Sequence, residues 1–286
     1  MVTESRRAEV SDERIIDVIG EDKAETLNTD AGLTLKPKTQ RINDVYTHQP
    51  LQSFESKNLS YDYGDGNGFF NVSFQVNPGE LTVIAGGIGS GKSTLLSVLM
   101  GLFPSDSGKI HLDGKQVLED YSTTVKIAGA PQRGGFFSKD LKENLCLGFP
   151  ASQDEIMSAL SVVGLVDLIA DNTHGYDLEV GSQGAKLSGG QQQRLAMARI
   201  LVRGAQLNVI DDCVSALDEE TRQKVLLRLL EHIKETSQSI IIATNEKVFL
   251  EAANNILFME SGRLISQGSF SELMENMMFN ELVSQS

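Results

Sequence analysis

Tryptophan is absent from this 286-residue chain, and cysteine, proline and histidine are scarce, at two, six and four residues. Two cysteines, Cys146 and Cys213, supply no disulfide framework, which excludes the small secreted scaffolds that depend on one and fits a reducing compartment. No apolar run approaches the roughly 20 residues that a bilayer-spanning helix needs. Met1–Ser5 opens without the apolar segment of a secretory signal. Positive charge is also short: 25 Lys and Arg stand against 39 Asp and Glu, a net charge of −14. That sign argues against a chain whose work is gripping nucleic-acid phosphates. What remains is an ordinary globular composition, 40% apolar and 22% charged, long enough to bury a sizeable core.

The most informative stretch is Gly86-Gly87-Ile88-Gly89-Ser90-Gly91-Lys92-Ser93-Thr94, a full match to G-x-x-x-x-G-K-[ST]. It follows the apolar run Leu81–Ala85 and precedes a helical pattern expected from Lys92 to about Phe103. Glycines there let backbone N–H groups turn inward around the phosphates of a nucleoside triphosphate. Lys92 is expected to reach the outer phosphates, and the Ser93 hydroxyl to ligate Mg²⁺. The helix aims its positive end at the same anion.

Ser11–Ile19 reads as a short amphipathic helix, and residues 20–50 as a polar linker of low intrinsic order. Regular structure resumes near Phe54. Val72–Val76 alternates as a strand, Asn77-Pro78-Gly79 is a turn, and Leu81–Ala85 is the strand before the phosphate loop. Buried-strand runs follow at Leu207–Ile210 and Ile240–Ala243, with helical patterns at Asp154–Val163, Val166–Ala170 and Gln192–Gly204. Residues from about 134 to 184 look more helical than the rest. Strands at Ile256–Met259 and Arg263–Gln267 flank the turn Ser261-Gly262, and Ser269 with Glu272 spells a capping box. Alternating helices and strands indicate an α/β core.

Leu207–Ile210 ends in Asp211-Asp212. Beside a phosphate loop, Asp211 is expected to hold Mg²⁺, and Asp212 to face the attacking water. Nearby Cys213 is read as a small packing residue. A second helix-opening anion site is Leu187-Ser188-Gly189-Gly190-Gln191.

These motifs together resemble the nucleotide-binding domain of ABC transporters, whose signature is the LSGGQ of residues 187–191. The resemblance runs from about Phe54 to Leu282. It implies a RecA-like phosphate-loop ATPase core carrying an antiparallel β subdomain and an inserted helical subdomain at about 134–190, after a connecting segment and linker at 1–53. Tyr63 resembles the aromatic that stacks on adenine. Gln132 resembles the glutamine that senses Mg²⁺ and couples to membrane domains. Ser215–Asp218 resembles the segment at the dimer interface, to which Asp218 belongs. The implied assembly is two domains packed head to tail, each ATP lying between one phosphate loop and the other domain's signature. Residues 136–145 and 175–181 are similar to the exporter branch, whereas Ser182-Gln183 stands where exporters usually have Glu-Arg. The cross-contact to a partner's membrane domain is therefore not carried over. Ser11–Ile19 resembles the link from an exporter's last membrane helix.

Two positions depart from the family. Its general base is a glutamate, and this chain has Asp212, one methylene or about 1.5 Å shorter. Its switch histidine is here Asn245, which carries no positive charge and shuttles no proton. His48, His111, His174 and His232 lie elsewhere in the sequence. With the signature intact, the expectation is the degenerate-site half of a heterodimeric exporter on the cytoplasmic face of a membrane. The implied partners are a second, different nucleotide-binding domain and a membrane-spanning domain. Alternatives are a slow homodimeric ATPase and an ATP-gated regulatory domain of a channel or receptor. DNA-repair members of the superfamily insert a long coiled coil between the positions of Gln132 and Ser188, and translation members carry two tandem copies; neither pattern is present.

Overall fold

In the computed structural model the described residues are 51–117, 127–132, 134–170, 175–212 and 214–284. The helix expected at Ser11–Ile19, the linker at 20–50 and Cys213 lie outside them. Leu51 is buried, and the backbone N–H groups of Gln52 and Ser53 donate to the Asp113 carboxylate. Packing thus reaches back ahead of Phe54.

The chain begins with β1 (Phe54–Asp62) and β2 (Gly68–Val76), then β3 (Leu81–Ala85), α1 (Lys92–Leu99), β4 (Ser107–Leu112), β5 (Lys115–Val117) and β6 (Ile127–Ala130). A helical stretch follows: α2 (Leu141–Cys146), α3 (Gln153–Val162), α4 (Asp167–Ala170) and α5 (Gly189–Arg203). Then come β7 (Leu207–Asp211), α6 (Glu219–Thr236), β8 (Ser239–Ala243), α7 (Lys247–Ala252), β9 (Asn255–Glu260), β10 (Arg263–Gly268), α8 (Phe270–Leu273) and α9 (Met277–Ser284).

Two sheets result. The smaller is antiparallel, in the order β2-β1-β4-β5, and the larger runs β10-β9-β3-β8-β7-β6. In the larger sheet β9, β3, β8, β7 and β6 are parallel, and only β10 is antiparallel, paired with β9. Every residue of β3, β7 and β8 is buried, because helices or the second sheet cover both faces of a parallel strand. Ile241 belongs to one apolar cluster, with Phe54, Phe69, Leu95 and Leu96; its neighbours Ile240 and Ile242 belong to the other, with Leu160, Leu195 and Leu226. The period of two along β8 puts successive residues on opposite faces. The expected α/β core, antiparallel β portion and helical insert are all present.

Two helix ends differ from expectation, and one long helix was not expected. Helix α1 stops at Leu99, short of Phe103. Gly101 sits at φ +71° and donates to Val98 O, while Leu102 donates to Ser97 O. This is a Schellman closure, which a glycine in the left-handed region makes cheap. Helix α5 starts at Gly189 instead of Gln192. Ser188 accepts from the Gln191 backbone while the Gln191 side chain accepts from Ser188 N–H, so the capping box draws both glycines into the first turn. Helix α6 was not among the elements expected, although Val225, Leu226, Leu229 and Ile233 repeat at helical spacing on its buried face.

Helix α6 also carries a pH-sensitive contact. His232 Nε2 lies 3.3 Å from Gln238 Oε1, which accepts from Asn208 Nδ2 at 3.1 Å as well. Burial pushes the imidazole's pKa below its ordinary value, with the Gln238 bond opposing. A depressed folded-state pKa contributes stability above the unfolded value, about 6.5, and loses it as pH falls through the folded value. The melting temperature is therefore expected to fall as pH drops below about 6.5. A His232→Gln variant should flatten that slope in thermal melts between pH 7.5 and 5.

Candidate nucleotide site

Strand β3 delivers the chain to the phosphate loop at the centre of the parallel sheet. Gly86 sits at φ +153°, and a Cβ there would meet Met259 O at 2.2 Å. Gly91, at φ +94°, begins α1, and a Cβ there would meet Gly68 O at 2.8 Å. Only glycine fits either place. Gly87 and Gly89 face open space, Ser90 is buried and Ile88 is fully exposed.

Lys92 Nζ donates to Gly86 O and Gly87 O, both at 2.8 Å, and to Ser90 Oγ at 3.3 Å. Burial pushes its pKa down, and Asp211 and Asp212 push it back up. Ser93 Oγ donates to Asp211 Oδ1 at 3.1 Å. A hydroxyl and a carboxylate side by side are hard oxygen donors of the kind Mg²⁺ takes, and the pair fits that ion. Tyr63, half exposed, places its hydroxyl 3.4 Å from Thr94 Oγ1. Its ring meets Tyr61 edge-on, and Tyr61 stacks on Phe103. The aromatic ring thus stands at the first turn of α1.

Gln132, just beyond β6, donates through Nε2 to Asp212 Oδ2 at 3.2 Å. Asp212 lies in the left-handed region, φ +42°, and its N–H donates to Ala243 O. Burial pushes both carboxyls up. For Asp211 the Ser93 bond is the main opposing cause, and for Asp212 the bonds from Ser215 and Gln132 are. Asn245, following β8, pairs its side-chain amide with both backbone polar groups of Gly86: Nδ2 donates to Gly86 O and Oδ1 accepts from Gly86 N–H, both at 3.0 Å. The loop, Tyr63, Gln132, Asp211, Asp212 and Asn245 therefore form one connected cluster.

Leu187, Ser188, Gly189, Gly190 and Gln191 form a second cluster. A Cβ on Gly190 would approach Ala216 O at 3.2 Å. Gln193 donates to Ser215 Oγ and accepts from Ala216 N–H. Asp218 caps α6, accepting from Thr221 N–H at 2.9 Å. Ser215 Oγ also donates to the Asp212 carbonyl at 3.4 Å, so Ser215, held by Gln193, links the two clusters.

Sequence reasoning passed over a further knot. Buried Asn144 donates to the carbonyls of Phe137, Lys139 and Asp140 and accepts from Phe137 N–H. Arg199 of α5 donates to the Asn144 carbonyl, to Asn144 Oδ1 and to Gly135 O, and lies over the Phe136 ring. Burial brings the Arg199 pKa down to about 10. The pair ties the segment after Gln132 to the helix that the signature opens. One arginine inside the otherwise apolar stretch Leu195–Leu201 was the available signal.

This chain resembles known proteins over about three quarters of its length. The chain is 35% identical over 222 residues to the beta-(1→2)glucan export ATP-binding/permease protein NdvA of Brucella abortus biovar 1 (strain 9-941), covering 76% of this chain and 37% of that protein. It is 38% identical over 224 residues to the ABC transporter ATP-binding protein YfiB of Bacillus subtilis (strain 168), covering 77% and 38%. The chain thus spans less than two fifths of the length of these relatives. Among solved structures, a bacterial Atm1-family ABC exporter with ATP bound is similar, with a TM-score of 0.75 and 30% identity over 82% of this chain and 42% of that one. The sequence profile described as ABC transporter matches residues 69–215, about half of the chain, and with the geometry above it shows that this chain belongs to the ABC transporter family.

Proposed function

We propose that this chain is the ATP-binding and ATP-hydrolysing part of an ABC exporter, and that its own catalytic site is the degenerate one of an unlike pair. The observation that carries this is a division within one chain. The phosphate loop with its Ser93–Asp211 pair and the LSGGQ helix start are complete, while Asp212 and Asn245 occupy the base and switch positions.

In this reading Tyr63 stacks on adenine, residues 86–94 wrap the phosphates, and Lys92 neutralises their outer charge. Ser93, Asp211 and Gln132 hold Mg²⁺, which supplies further charge neutralisation on the phosphate oxygens. Asp212 orients water poorly for want of reach. Residues 187–191 close over the ATP of a second nucleotide-binding domain, and Asp218 lies at that interface. Closure pulls on a membrane-spanning domain, and hydrolysis resets it. Attachment to that domain places the chain at the cytoplasmic face of a membrane. Among the described residues no helix is long and apolar enough to cross one.

The test is ATPase activity of the purified chain alone over a concentration series, then mixed with exporter nucleotide-binding domains that carry the glutamate and histidine. Stimulation at least tenfold above self-association by an unlike domain is expected, since general-base catalysis is worth about 10²–10⁴. A rate rising with the square of this chain's own concentration to the same level would instead support a homodimer.

A further inference from the structure

The Asn245 amide continues a ladder that the backbone has just ended. Strands β3 and β8 pair in parallel up to Ile84 opposite Ala243, and Thr244 N–H then donates to Ile84 O at 3.2 Å. One step further the partner of Gly86 is no longer a peptide but the Asn245 side chain, which both donates to and accepts from it. A carboxamide presents an N–H and a C=O side by side, matching the C=O and N–H that Gly86 turns towards it. The Gly86 carbonyl meanwhile accepts a second bond, from Lys92 Nζ. On the other side of Gly86 the Met259 carbonyl stands where a Cβ would be.

We infer that Asn245 is a positioning residue for the phosphate loop: by clasping the N–H and C=O of Gly86 it sets the carbonyl that seats the Lys92 ammonium. It acts on a loop that ATP and ADP both occupy, and so serves both nucleotides rather than reading the terminal phosphate that only ATP has. Histidine at this position makes no such clasp, because the two imidazole nitrogens point in different directions and only one can face Gly86. The substitution of the family's histidine thus exchanges a phosphate contact for a rigid loop. This rests on the nucleotide site proposed above.

The experiment uses the full chain with Mg²⁺ and fluorescent ATP and ADP analogues, comparing wild type, Asn245→Ala and Asn245→His. Loss of two hydrogen bonds should weaken both analogues by a similar factor, about tenfold, in the alanine variant. The histidine variant should also lose affinity for both. Hydrogen exchange at the Gly86 amide, measured without nucleotide, should accelerate in both variants while the amides of Val83 and Ile241 stay protected. A loss confined to ATP, a selective gain for ATP in Asn245→His, or unchanged Gly86 exchange would overturn the inference. Failure of wild type to bind either analogue would sink the nucleotide-site reading instead, and the exchange data would still decide the clasp.

Discussion

Lys92→Ala is expected to remove nucleotide binding, weakening it by about 10²–10³-fold, the usual cost of deleting one partner of a desolvated charge pair. The ammonium is half-buried and held by two carbonyls and a hydroxyl, so it is already seated before it meets an anion. Its loss takes away the positive charge facing the phosphates and also removes one donor from each of the Gly86 and Gly87 carbonyls, which keep Asn245 Nδ2 and Ser90 N–H. Lys92→Arg should not rescue: a planar guanidinium cannot occupy the pocket of a point charge gripped from three sides. Titration with a fluorescent ATP analogue measures both variants. Retained affinity in Lys92→Ala would remove residues 86–94 from the nucleotide site.

Asp212→Glu, with Asn245 kept, should raise turnover by about tenfold or more, because general-base catalysis contributes about 10²–10⁴ when the base reaches the water. The backbone bears on the size of that gain. Asp212 sits at φ +42°, a region that Asp and Asn enter more readily than Glu. The longer carboxylate gains reach while the left-handed turn becomes costlier, so faster turnover should come with a slightly lower melting temperature. Asp212→Asn is the control, keeping the backbone preference and removing the base. Steady-state phosphate release with a saturating unlike partner domain is the measurement. Equal rates for the aspartate, glutamate and asparagine forms would show that position 212 is not where the base acts, and the degenerate-site reading would go with it.

Local chemistry made several elements readable. Leu81–Ala85 came out at its full extent, since five consecutive apolar or β-branched residues next to a glycine loop admit few alternatives. The Ser269–Glu272 capping box is present as expected. Helix ends were less legible. The Schellman closure at Gly101 shortens α1, and the reciprocal bonds between Ser188 and Gln191 lengthen α5 across two glycines that propensity alone would leave outside. Asn144 and Arg199 escaped notice because they meet across 55 positions.

The amino-acid sequence by itself determined the phosphate loop, the strand that feeds it, the LSGGQ motif and the α/β class, because each depends on residues within a few positions of one another. Only the tertiary structure decided that Asp211 meets Ser93 across 118 positions, that Gln132 meets Asp212 across 80, and that Asn245 clasps Gly86 across 159. Those meetings follow from the strand order β9-β3-β8-β7-β6, which brings the ends of four separate parallel strands to one rim. Strand order is chosen by the burial of both sheet faces together, a property of the whole chain that no local pattern encodes.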